Sequence, residues 1–310
     1  MVVDLSTTLN NLELKNPIIT ASGTFGYANE FDDFISVKNL GAIVTKAITL
    51  APRKGNSWKR IMETDAGMIN SIGLENMGIE AFLEKVVPLL KKEEINYIVN
   101  IAGATADEYY QLAKICEANK IQAIELNLSC PNVKAGCMEF GTNEEYLYKL
   151  VSEIRNLYSG TLITKLTPNV TAIEKIAIAA QDAGADIISA INTVKATGMR
   201  INFARGKFNL ERINGGLSGK SIKPIALRAV SAIAQNVSIP IIGMGGISSL
   251  NDIFEFIVAG ADAFQIGTAN FTHPSISEDI INELTKFIQD NNLDSYENLK
   301  NKIREDIKDE

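Results

Sequence analysis

Polar side chains collect at a recurring place in this 310-residue chain, directly after short apolar runs rich in isoleucine and valine. In chain order they are Ser22, Lys46, Asn100, Asn127 with Cys130, Lys165, and Asn192 with Thr193, followed by Gly245-Gly246 and Gly267-Thr268. Asparagine amides carry donors and acceptors together, which suits a flat, neutral, amide-bearing ring better than a multiply charged sugar phosphate. Lys46 and Lys165 add positive charge at two separated points. Glycine pairs let backbone N–H groups approach an anion closely, as phosphate sites require. Cys130 stands in the run Asn127-Leu128-Ser129-Cys130-Pro131-Asn132-Val133-Lys134. A thiol there acts as a general base when a lid excludes water and nearby charge favours the thiolate. The segment from Pro131 to Gly141, with Gly136 and Gly141 as hinges, has the composition of such a lid.

Each of these residues also has a plainer use. Loop or strand-end amides, Asn70, Asn127 and Asn192 among them, satisfy nearby backbone; glycine pairs turn the chain; cysteines are commonly small buried hydrophobes. Cys116 fits the last description, and Cys137 has no evident partner. What argues for a site is recurrence at the same point of successive units.

Those units are strands followed by helices. Apolar, β-branched runs fall at Pro17–Ala21, Ala42–Lys46, Tyr97–Ile101, Ala123–Asn127, Leu162–Lys165, Ile187–Ile191, Ile239–Gly243 and Ala263–Ile266. Between them, helical periodicity predicts helices such as Ile79–Lys92, Ala106–Asn119, Glu144–Tyr158, Ala172–Ala183, Pro224–Gln235 and Leu250–Ala259. Several strands are apolar almost throughout, as parallel strands buried on both faces are. Eight such units are most economically one (β/α)8 TIM barrel, whose chemistry gathers at the C-terminal ends of its strands. A hairpin around Asn10-Asn11 precedes the first strand and is expected to plug the barrel bottom. Thr49–Met77 and Val194–Lys223 lie outside the barrel pattern and are expected to form top-face loops or subdomains. No linker divides residues 1–310, so a single domain is expected.

Composition narrows the function. With 30 Lys and Arg against 37 Asp and Glu, the net charge is −7, which disfavours nucleic acid and anionic membranes as partners. Three cysteines and one histidine, His273, give neither a disulfide framework nor a zinc cluster, so no metal is expected. No leader peptide and no run of about 20 apolar residues is present, so a cytoplasmic protein is expected. Two glycine-rich lookalikes fail. Gly219-Lys220-Ser221 ends like a phosphate-binding loop, but its first glycine would fall on Asn214. Gly243-Met244-Gly245-Gly246 opens like a dinucleotide fingerprint, but the third small position falls on Ser248 with no complete Rossmann unit around it.

Six segments together resemble the dihydroorotate dehydrogenases, flavoproteins of pyrimidine synthesis. They are NPIITASGTFGY at 16–27, AGMINSIGLEN at 66–76, IELNLSCPNVK at 124–134, INTV at 191–194, GGLSGKSIKP at 215–224 and IIGMGGI at 241–247. Cysteine at position 130 is similar to the soluble class 1 enzymes, and the 16 residues before Pro17 leave no room for the quinone-binding extension of class 2. The stretch at 55–80 looks more like the class 1B catalytic subunit than the fumarate-using class 1A enzyme.

The resemblance implies one FMN in the barrel mouth, contacted by Ser22, Lys46, Ala47, Asn100, Asn127, Lys165, Ile191, Gly219, Gly245, Gly246, Gly267 and Thr268. It implies dihydroorotate against Lys46, Asn70, Ser71, Ile72, Gly73, Leu74, Asn127, Asn132, Asn192 and Thr193, with Cys130 as the base. It further implies a partner subunit carrying FAD and a 2Fe–2S cluster, which passes electrons to NAD, on a homodimer of this chain within a heterotetramer. Cys137 stands where glycine is usual, and Lys195-Ala196-Thr197 lengthens the segment after Thr193. Class 1A activity, a phosphate-binding barrel aldolase or isomerase using Lys165 as an amine, and a non-catalytic ligand-binding barrel are the alternative readings.

Overall fold

The structure, a computed structural model, describes residues 3–306 apart from 28, 29, 31, 32, 58, 129–139, 200, 203, 205, 209, 211 and 212. It begins with the hairpin: β1 (Thr7–Leu9) pairs antiparallel with β2 (Leu12–Leu14), and Asn10 takes the left-handed conformation at φ 51° that the tight turn needs. After β3 (Ile18–Thr20) and β4 (Ala42–Val44) come two strands outside the barrel, β5 (Ile61–Thr64) and β6 (Gly67–Asn70). The barrel resumes with β7 (Tyr97–Ile101), β8 (Ala123–Asn127), β9 (Thr161–Leu166) and β10 (Ile187–Ala190). A second excursion holds β11 (Val194–Thr197), β12 (Ile201–Asn202), β13 (Lys207–Phe208) and β14 (Asn214–Ser218), and β15 (Ile241–Met244) and β16 (Ala263–Ile266) complete the ring. The closed order is β3-β4-β7-β8-β9-β10-β15-β16, parallel throughout. All eight predicted strands are therefore the eight staves of a (β/α)8 barrel.

Alternation along the strands stacks the interior in layers. At the bottom, Ile19, Val44, Ile98, Ala123, Ile163, Ile187, Ile242 and Ala263 form one buried cluster with Leu9, Leu12 and Leu14 of the hairpin. The hairpin leucines thus fill the N-terminal mouth, and the Asn10 amide ties the turn to the Asp186 carbonyl just before β10. Two residues further along their strands, Asn100, Glu125, Ser189 and Gln265 form a buried polar layer. The site lies above it.

Helices wall the outside, packed through the larger apolar cluster. Their starts are set by side-chain caps: Thr105, Asn143 and Ser249 each accept the backbone N–H three residues on. The predicted helix Ile79–Lys92 is two, Ile79–Lys85 and Val87–Lys92, because Pro88 has no N–H for the carbonyl four residues back and suits only a first turn. Ile276–Asp290 and Tyr296–Asp306 complete the wall with Ile280, Leu284, Ile288 and Leu299 facing inward. The two segments expected as top-face additions meet: β5, β6, β14 and β11 form a four-stranded antiparallel sheet, with Asn70 opposite Gly216. Among the described residues, no helix is long and apolar enough to cross a membrane.

Candidate active site

The barrel strands end beneath this four-stranded sheet, and the space between them is a cavity of about 1620 Å³. Its floor and walls include Ser22 after β3, Lys46 and Ala47 after β4, Asn127 at the end of β8, Lys165 in β9 and Ile191 after β10. The sheet contributes Asn70 and the loop Ser71, Ile72, Gly73 and Leu74 from the opposite side, and Asn192 and Thr193 join them at the start of the second excursion. Asn100 is buried one layer lower and does not line the cavity. Cys130, Asn132 and Cys137 lie outside the described residues.

Lys165 is only 4% exposed, and its Nζ lies 3.2 Å from Ser22 Oγ and 3.5 Å from Glu125 Oε1. A cation this buried at a cavity wall suits an electron-rich or anionic ligand edge, since the low local dielectric strengthens the attraction. Lys46 is held differently: Glu75 Oε2 lies 3.8 Å from its Nζ and 2.7 Å from Arg60 Nη1, at the rim.

The asparagines are fixed by their own hydrogen bonds. Asn192 Nδ2 donates to Asn127 Oδ1 at 3.2 Å, while Asn192 Oδ1 accepts the Thr193 N–H at 2.8 Å. Tyr109 Oη donates to the Asn127 carbonyl at 2.6 Å, so the strand end itself is braced. Asn70 Nδ2 donates to the Gly216 carbonyl at 3.2 Å, locking that amide across the sheet. The lengthened segment after Thr193 is anchored by Asn169, which donates to the Thr193 carbonyl and accepts the Lys195 N–H.

At the far end of the cavity, Gly219, Gly245 and Gly246 take φ values of +94°, +123° and +85°. A Cβ on Gly245 would stand 2.8 Å from Ala226 Cβ, and one on Gly246 would stand 2.8 Å from Lys223 Cβ. These turns therefore lie against the first turn of the helix Lys223–Ala234, whose N-terminus carries partial positive charge. Gly267 and Thr268 line the same end. Backbone turns free of side chains beside a helix N-terminus fit a phosphate; the buried lysine and fixed amides fit a polar ring. Together they fit the parts of FMN.

Glu125, which no strand-end position marks, is fully buried under the site and takes hydrogen bonds from Asn100, Ser189 and Gln265. The signal was present: in a strand with period two, Glu125 must share the inward face of Asn127. Cys116, expected as an inert hydrophobe, is fully buried, and burial pushes its thiol up to about 12.

The family model for dihydroorotate dehydrogenase matches residues 4–288. The chain belongs to the dihydroorotate dehydrogenase family. Among its relatives is a protein of Bacteroides thetaiotaomicron named dihydroorotate dehydrogenase B (NAD(+)), catalytic subunit, 46% identical over 93% of this chain and 95% of its own length. Proteins of the same name from Thermoanaerobacter sp. and Desulforamulus reducens are 44% and 47% identical, covering 98% and 94% of this chain and 100% and 96% of their own. In this dihydroorotate dehydrogenase chain the TIM barrel, the top-face sheet and the cavity between them make one frame for the site.

Proposed function

We propose that this chain oxidises dihydroorotate to orotate in pyrimidine biosynthesis, with one FMN bound in the barrel domain formed by residues 1–310. The observation that carries the reading is convergence: Lys165, the Asn127–Asn192 pair and the Asn70–Leu74 loop face one cavity in a chain of this family. Dihydroorotate has a flat imide, carbonyl oxygens and a carboxylate. The fixed amides and Lys46 match those groups, and holding the ring in register is the positioning part of catalysis.

Gly219, Gly245, Gly246, Gly267 and Thr268 would hold the phosphate end of FMN, and Ser22, Ala47, Asn127, Lys165 and Ile191 would surround its ring, with Asn100 beneath. When bound, FMN supplies the two-electron acceptor for the hydride that leaves the substrate. Cys130 takes the proton from the ring carbon beside the carbonyl, so the two hydrogens leave as proton and hydride and a carbon–carbon double bond forms. Lys165 favours negative charge on the ring system it faces, and does so in a water-poor site.

The names of the relatives, catalytic subunits of an NAD(+) enzyme, support class 1B over class 1A. The electrons then pass to NAD through a partner subunit carrying FAD and a 2Fe–2S cluster, on a homodimer of this chain in a cytoplasmic heterotetramer. The test is acceptor specificity: with dihydroorotate, the chain alone reduces an artificial dye but not NAD, and addition of the partner restores NAD reduction. Efficient NAD reduction by the chain alone rejects the partner; efficient fumarate reduction replaces class 1B with class 1A.

A further inference from the structure

Among the described residues, a fully buried carboxyl directly under the cavity has no task in this chemistry. Glu125 is 0% exposed in the polar layer under the cavity, and side chains from four other strands converge on it. Oε1 lies 2.6 Å from Asn100 Nδ2 and 3.5 Å from Lys165 Nζ. Oε2 accepts from Ser189 Oγ at 2.9 Å and Gln265 Nε2 at 2.8 Å. Every partner is a donor, as an acceptor-only carboxylate demands, and a buried charge is tolerable only when so surrounded.

The arrangement has a second side. Because both amides turn their NH2 groups to Glu125, both turn their oxygens away from it. Asn100 Oδ1 and Gln265 Oε1 are buried with no hydrogen-bond partner among the described residues. Gln265 lines the cavity floor. Buried acceptors are rarely left unpaired, and one at the edge of a ligand cavity points to a donor on the ligand. An imide ring such as that of FMN carries an N–H of this kind.

We infer that Glu125 is a positioning residue that sets the polarity of the cavity floor. It fixes Gln265 as an acceptor toward the bound ring, with Asn100 fixed the same way one layer below, and holds the Lys165 ammonium with its charge partly offset. The inference rests on the FMN reading of the site. Neutralising Glu125 removes the offset from Lys165. The introduced NH2 also meets Ser189 and Gln265, so either the hydroxyl turns to accept it or Gln265 reverses. Loss of the offset favours the electron-rich, reduced form of the bound ring over the oxidised form, and a reversed Gln265, now donating toward the ring, adds to it.

The experiment is a spectroscopic redox titration of protein-bound FMN in wild type, Glu125→Gln and Ser189→Ala, with FMN dissociation constants measured alongside. For Glu125→Gln, the ratio of oxidised to reduced dissociation constants should rise at least tenfold, a shift of about 30 mV to more positive potential for a two-electron couple. Ser189 does not line the cavity, and its loss removes one donor from the carboxylate, so Ser189→Ala should shift the potential the other way, by at least twofold in the same ratio. A merely structural Glu125 would weaken both forms equally and leave the potential unmoved, which overturns the inference while the function stands. If Glu125→Gln does not fold, Ser189→Ala decides alone, and an unchanged potential overturns the inference. Failure of the wild type to bind FMN overturns both the inference and the functional reading.

Discussion

Asn192 Nδ2 donates to Asn127 Oδ1 across 3.2 Å, joining the tops of two barrel strands that are not neighbours, β8 and β10, over the end of β9. The bond settles the orientation of both amides. Asn127 has spent its oxygen, so its NH2 is what remains to meet a ligand carbonyl or carboxylate.

Loss of Asn192 should therefore disable its neighbour as well as itself. Asn192→Ala should keep its FMN and its fold but lose at least tenfold in kcat/KM for dihydroorotate, about 1.4 kcal/mol of transition-state stabilisation. Steady-state kinetics with a dye acceptor, together with the flavin content of the purified variant, checks this. Wild-type kcat/KM would remove Asn192 from the substrate site.

The cysteines should separate sharply. Burial raises the Cys116 thiol to about 12, so at pH 8 it stays protonated and inaccessible. Iodoacetamide on the native protein should leave Cys116 unmodified by mass spectrometry, while alkylating Cys130 and abolishing dihydroorotate oxidation, with orotate protecting. Cys130→Ala should keep orotate binding but lose most flavin reduction, and Cys130→Ser should recover part of it at high pH. Near wild-type reduction in Cys130→Ala would exclude Cys130 as the base.

The barrel layers explain what the sequence alone could and could not yield. Ile18–Thr20 or Ile187–Ala190 need no partner to be recognised, because a short β-branched run followed by a helical pattern is a local signal. The hairpin was equally visible, since Asn10-Asn11 suits a two-residue turn and the flanking leucines alternate. By contrast, the pairing of Asn70 with Gly216 joins two segments 146 residues apart, and nothing local in either encodes it. Asn127, Lys165 and Asn192 could be placed at the site because each follows or ends a barrel strand, whereas Asn70, in a segment outside the barrel pattern, is reached only through the family resemblance. Glu125 went unnoticed because it sits mid-strand, where only inward parity with Asn127 marks it.

The hairpin leucines are more than a cover. Leu9 is 1% exposed in the bottom cluster, so Leu9→Ala should leave a cavity under the barrel and cost about 2–5 kcal/mol of stability. Because the polar layer separates this cluster from the site, flavin content and KM should be little changed at a temperature where the variant is folded. Urea unfolding followed by far-ultraviolet circular dichroism measures the loss; a difference below about 1 kcal/mol would mean the hairpin is not part of the core.

A salt bridge beside the glycine turns should show in the pH dependence of stability. Burial raises the Asp252 carboxyl, but hydrogen bonds from Lys223, the Ser248 N–H and Ser249 outweigh it and hold the group below its ordinary value. A lowered pKa stabilises the fold above the unfolded value, near pH 4, and that contribution fades as pH falls through the lower folded value. Lys223 is raised, chiefly by its bonds to Asp252 and Glu255, so its contribution is complete below its unfolded value and fades as pH rises through the higher folded one. Asp252→Asn should cost about 2 kcal/mol at pH 7, and the deficit should shrink as pH is lowered below about 4, read from unfolding curves across the acid range. A deficit that does not change with pH would contradict the pairing.

If dihydroorotate gives its electrons to a flavin bound in the Lys165 cavity, anaerobic stopped-flow mixing of the FMN-loaded chain with dihydroorotate, without any partner or acceptor, should bleach the oxidised flavin absorbance in a single turnover. The rate should rise with pH and then level off as Cys130 loses its proton. A flavin that stays oxidised under these conditions, or a chain that takes up no FMN, would overturn the proposed function.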